Sequence, residues 1–83
     1  MPSRPTLLRQ SSIRVSPQQR VAGNVRAGFA LRRLRAGDLG DLLGLSYPTA
    51  LSRWHGRTGF RVNELERLSR FFERPIDWLF RVE

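Results

Sequence analysis

The chain contains no cysteine and no lysine, and its first 37 residues contain no acidic side chain. The missing cysteine excludes a disulfide framework and any thiolate zinc site, and is compatible with a reducing compartment. Histidine is scarce too, with His55 standing alone. No carboxylates pair beyond solvated helix faces, since Glu64 and Glu66 lie two apart and do not share one. Gly37 and Gly40 precede neither a lysine nor a strand, so the sequence offers no phosphate-cradling loop. These absences argue against an enzyme, and no cofactor or metal is expected. No apolar run approaches the roughly 20 residues that cross a bilayer. Residues 1–12 hold no apolar stretch long enough for a signal peptide. The expectation is a soluble, intracellular chain with no membrane partner and no small-molecule ligand.

What the sequence does have is arginine. All fifteen basic residues are arginines, giving a formal net charge of +8. Residues 1–37 carry eight of them, at positions 4, 9, 14, 20, 26, 32, 33 and 35, whereas in residues 38–83 seven arginines meet seven acids. The excess sits wholly in the N-terminal part, and a surface of one sign attracts a polyanion through Coulomb forces and counterion release. The alternative is a basic tail that only keeps the chain soluble, or one from an arginine-biased genome; genome bias would explain arginine in place of lysine but not the missing acids. Of the 83 residues 40% are apolar, enough for one domain with a small cooperative core.

Along the chain, residues 1–15 combine Pro2, Pro5, hydroxyl side chains and Arg4, Arg9 and Arg14, the composition of a flexible basic arm. Residues 16–83 then form the folded domain. Ser16-Pro17 is a helix start, and Val21, Val25 and Phe29, with Ala22 and Leu31, mark the apolar stripe of a helix from Pro17 to Arg33. Leu39, Leu42 and Leu43 predict a short second helix that Gly44 ends as a left-handed cap. Ser46 caps a third helix with Pro48 in its first turn; Leu51 and Trp54 are its expected inner face, and Gly56 ends it. Val62, Leu65, Leu68, Phe71 and Phe72 predict a fourth helix, and Ile76, Leu79 and Phe80 a fifth after Pro75. The fold class is therefore all-α, a compact bundle of about five short helices.

The run from Leu39 to Ser46, followed by Ser52-Arg53-Trp54, resembles the Cro/repressor-type helix-turn-helix family, also described as lambda-repressor-like or XRE-like. The tail Asn63 to Phe72, with Pro75-Ile76-Asp77-Trp78-Leu79, is similar as well. The resemblance covers about residues 20 to 80. It implies a sequence-specific regulator of double-stranded DNA, a repressor from a phage or bacterium, acting in the host cytoplasm on the nucleoid. Gly40 fits the small residue needed where the second helix of the motif crosses the first, and Gly44 fits its turn. The chain departs from the pattern in three places. Arg35-Ala36 replace the usual Thr-Gln, one extra residue lies between Gly44 and Trp54 near Tyr47-Pro48, and His55 stands where glutamate is common.

On this reading the helix from Tyr47 to His55 enters the major groove. With Leu51 and Trp54 inside, Pro48, Thr49, Ser52, Arg53 and His55 face outward. Arg53 is the candidate for a two-pronged guanine contact, the alternatives being a phosphate contact or an intramolecular pair. Thr49 meets a thymine methyl or a phosphate, and Tyr47 and His55 suit phosphate or sugar. Arg57 and Arg61 in the following loop suit phosphate clamping, and Arg32, Arg33 and Arg35 stand near the junction of the first two helices. The arm's Arg4, Arg9 and Arg14 can reach a minor groove, while Leu7, Leu8, Ile13 and Val15 equally suit protein contact. Phe71, Phe72, Trp78 and Phe80 either pack in the core or form a homodimer patch. Other functions in keeping with these features are an antitoxin-like autoregulator, an architectural DNA-binding factor, or a module that binds a partner protein through the same surface.

Overall fold

Two serines with nearby prolines fix where two of the helices begin. Ser16 Oγ accepts the Gln19 N–H at 3.2 Å ahead of helix α1, Pro17–Leu31. Ser46 Oγ accepts the Thr49 N–H at 3.4 Å ahead of helix α3, Tyr47–Trp54. Each side chain satisfies a backbone donor that the first helical turn leaves without a partner. Helices α2, Ala36–Leu43, and α4, Val62–Phe72, start differently. There an acid three residues on folds back, Asp38 accepting the Arg35 N–H at 2.8 Å and Glu64 the Arg61 N–H at 3.0 Å. Asp38 thus offsets the weak start that Gly37 gives α2.

The structure, a computed structural model, describes residues 15–82, and within them every regular element is helical. The fifth expected helix is instead a short 3-10 turn, Ile76–Phe80. Only five residues separate Pro75 from the extended Arg81, and the bonds that close there are of the i→i+3 kind, from Trp78 N–H to the Pro75 carbonyl at 3.0 Å and from Arg81 N–H to the Trp78 carbonyl at 3.3 Å. The chain thus has four α-helices and one 3-10 turn among the described residues. Helix α1 also stops two residues earlier than the stripe predicts, because Arg33 takes a left-handed backbone, φ 59°.

The core forms where α1, α2, α4 and the 3-10 turn meet. Val21, Val25 and Phe29 of α1 pack with Leu39, Leu68, Phe72 and Leu79. Phe29 is its centre, with ring centroids 5.7 Å from Trp54, 5.6 Å from Phe71 and 5.9 Å from Phe72. Trp78 continues the cluster onto Phe72 at 5.1 Å. Of the two destinations open to the C-terminal aromatics, Phe71, Phe72 and Trp78 take the core; Phe80 stays on the surface. Asn24, buried, donates to the carbonyls of Leu79 (2.7 Å) and Arg81 (3.0 Å) and so ties the C-terminal segment to α1. Leu31 and Val62, expected inside, are outside, at 85% and 79% exposure, and Ile76 is exposed as well. Leu31, two positions past Phe29, falls about 200° round the helix from it, and Val62 is the first residue of its helix. Among the described residues no helix is long and apolar enough to cross a membrane. The arm's Arg4, Arg9 and Arg14, with Leu7, Leu8 and Ile13, lie outside the described residues.

Candidate nucleic-acid interface

Helices α2 and α3 are joined by a three-residue turn, Gly44-Leu45-Ser46, the length that a helix-turn-helix connection has. Gly44 has φ 69°, the left-handed conformation the sequence led us to expect, and the Leu45 N–H returns to the Gly40 carbonyl at 2.9 Å. Gly40 is the crossing point. A Cβ there would lie 3.0 Å from the Leu45 carbonyl oxygen and 3.4 Å from Ala50 Cβ. Gly40→Val should therefore force α3 away from α2 and cost about 1–3 kcal/mol, read as a lowered urea midpoint. A variant as stable as the parent would mean that the two helices do not depend on this close approach.

The inward face of α3 differs from the expected one by one residue. Ala50 and Arg53 are the buried positions, whereas Leu51 is half-buried and lines an open groove with Leu45, Tyr47 and Trp54. Trp54 still reaches the core edge through Phe29, and its carbonyl accepts from Arg26.

This register overturns the role expected of Arg53. Its side chain is only 8% exposed; Nε donates to Glu64 Oε1 at 2.9 Å and Nη2 to Oε2 at 3.4 Å. A guanidinium so engaged is not available to a guanine edge, and the intramolecular pair is the reading that holds. Burial pushes the Glu64 carboxyl up, but the Arg53 hydrogen bond, the Arg61 backbone N–H and the charges of both arginines outweigh it, holding it below the ordinary value of 4.5. Glu64 was not singled out by the sequence. The only local signal was its place three residues after Arg61, at the start of a helix.

The other expected residues are arranged unevenly. Tyr47 and Pro48 are exposed at the start of α3, and His55 is exposed at its end. Thr49 Oγ1 accepts from Ser46 Oγ at 3.0 Å, and the Ser52 and Thr58 hydroxyls share a hydrogen bond of 2.6 Å. Arg35 precedes α2, and Arg57 and Arg61 lie in the loop after α3. All three are exposed, and their guanidinium groups make no hydrogen bond or ion pair within the described residues. The loop is anchored from α1, where Gln18 Nε2 donates to the carbonyls of Gly56 (2.9 Å) and Arg57 (3.1 Å). Arg32 is engaged elsewhere, donating to the Gly28 carbonyl at 3.0 Å and lying over the Phe71 and Phe72 rings. Arg33 is exposed beside it. Asp38 and Asp41 line the groove with Arg35, so its surface is of mixed sign. Among the described residues no three potential ligands of the His, Cys, Asp and Glu types gather as a metal site would require. No protein-family model, curated protein or solved structure matches the chain.

Proposed function

We propose that this chain is a sequence-specific double-stranded-DNA-binding regulator of the Cro/repressor type, from a bacterium or phage. The observation that carries the reading is a helix-turn-helix whose second helix is flanked by three exposed arginines, their guanidinium groups free of hydrogen bonds and ion pairs among the described residues, in a chain of net charge +8. In this account α3 lies in the major groove with its N-terminal end toward the bases. Arg35 from one side and Arg57 and Arg61 from the other hold phosphates, and Tyr47 supports them. Phosphate contacts of this kind set position and affinity and leave sequence to α3. The basic arm, with Arg4, Arg9 and Arg14, adds backbone or minor-groove contacts. A homodimer on an inverted repeat, acting in the host cytoplasm, completes the proposal.

The exposed Tyr47 and Pro48 beside Leu51 favour a second reading, a module that docks a partner protein on the same face. Eight arginines without an acid in residues 1–37 weigh against it, because a protein adaptor has no need of them. The two readings separate on salt. Replacing Arg35, Arg57 and Arg61 by Gln should flatten the dependence of log binding constant on log salt by about 0.9 for each phosphate no longer neutralised. Base preference should survive. An unchanged slope, measured by fluorescence anisotropy from low to physiological salt, would remove these arginines from the interface.

A further inference from the structure

With Arg53 turned inward, α3 carries no arginine, lysine, asparagine or glutamine from Tyr47 to His55 that is free to face a base. Those are the side chains whose paired groups read guanine or adenine in the major groove. On a helix of 3.6 residues per turn, the face opposite Ala50 and Arg53 is formed by Pro48, Leu51, Ser52 and His55. Of these, the Ser52 hydroxyl is already bonded to Thr58, and Thr49 on the flank is bonded to Ser46. Beside the exposed Tyr47, what the helix offers toward its N-terminal end is apolar carbon, the Pro48 ring and the half-buried Leu51 side chain. In the major groove one base feature is met by apolar carbon, the C5-methyl group of thymine. The positive charge that holds the duplex lies off this face, on the loop and on the residue before α2.

We infer that α3 selects thymine by its methyl group, through Pro48 and Leu51, and not guanine by a charged fork. The inference rests on the reading of α3 as the helix in the major groove. Burial of one methyl on binding is worth about a fourfold change in affinity.

The test uses the full chain. The best duplex from a random-sequence selection is resynthesised with thymidine and with deoxyuridine, which lacks only the methyl, and both are titrated at the same salt. The deoxyuridine duplex should bind about fourfold more weakly for each methyl that α3 covers. Pro48→Ala and Leu51→Ala, each shown by circular dichroism to be folded, should narrow that ratio toward one. Equal binding of the two duplexes by the native chain, or a thymidine preference undiminished in both variants, would overturn the inference. A selected motif fixed by guanines would overturn it too. In each of those outcomes DNA binding itself stands, whereas failure to retain any duplex would remove the DNA-binding reading together with the inference.

Discussion

Glu64→Gln should destabilise the domain strongly, lowering its urea midpoint well below that of the parent chain. The carboxylate and its partner Arg53 are each about 6% exposed, and removing one charge leaves the other buried without compensation. Such a change typically costs about 3–5 kcal/mol, against a total stability of roughly 5–15 kcal/mol for a natural domain. Arg53→Ala should cost the fold in the same way, and not one base pair's worth of specificity. Replacing the pair together, Arg53→Met with Glu64→Leu, should recover most of the loss, because paired apolar groups carry no desolvation penalty. Urea titration of both single variants and the double one measures this directly. A single variant within about 1 kcal/mol of the parent would show that the pair contributes little.

The same pair gives a pH dependence of definite sign. Its carboxyl titrates lower in the folded chain than the ordinary 4.5. The contribution is therefore fully present above that value and is lost as pH falls through the lower folded value. The parent's urea midpoint should fall in acid, and the doubly substituted chain should lack that part of the fall.

Phe29→Ala is the second large effect. The ring is 1% exposed and touches Trp54, Phe71 and Phe72, so its removal opens a cavity at the point where α1 supports both the end of α3 and α4. The expected cost is about 3–5 kcal/mol, which in a domain of this size lowers Tm by more than about 10 °C. Near-ultraviolet circular dichroism of Trp54 and Trp78 should weaken with it, since Trp54 packs on Phe29 directly and Trp78 through Phe72. A small change in Tm with unaltered aromatic signals would place the centre of the core elsewhere.

The parts of the fold that were legible in the sequence are those set by neighbours along the chain. Ser16 and Ser46 cap because a hydroxyl at that position meets a backbone donor three residues on. Gly44 ends α2 because it alone there accepts a left-handed backbone cheaply, and Val21, Val25 and Phe29 share a face by helix periodicity. The face of α3 was not legible in the same way. Leu51 and Trp54 have the spacing of an inner face, and so do Ala50 and Arg53. The choice between them depends on Gly40 across the turn, which admits only a small side chain, and on Glu64 eleven residues beyond Arg53. Neither partner is visible in a local pattern, and a buried arginine contradicts the ordinary expectation for that residue. For the candidate site, Arg35, Arg57 and Arg61 were identified from the sequence and are exposed around α3, whereas Arg32 is held by aromatic rings that only the tertiary fold brings to it.

Selection from a random-duplex library at physiological salt, about 150 mM, followed by sequencing of what the chain retains, decides whether α3 reads a DNA sequence. An enriched motif is the expected result, and a palindromic one would carry the two-fold symmetry of a dimer. Retention of no motif, with binding lost at that salt, would leave only nonspecific electrostatics and contradict sequence reading by α3.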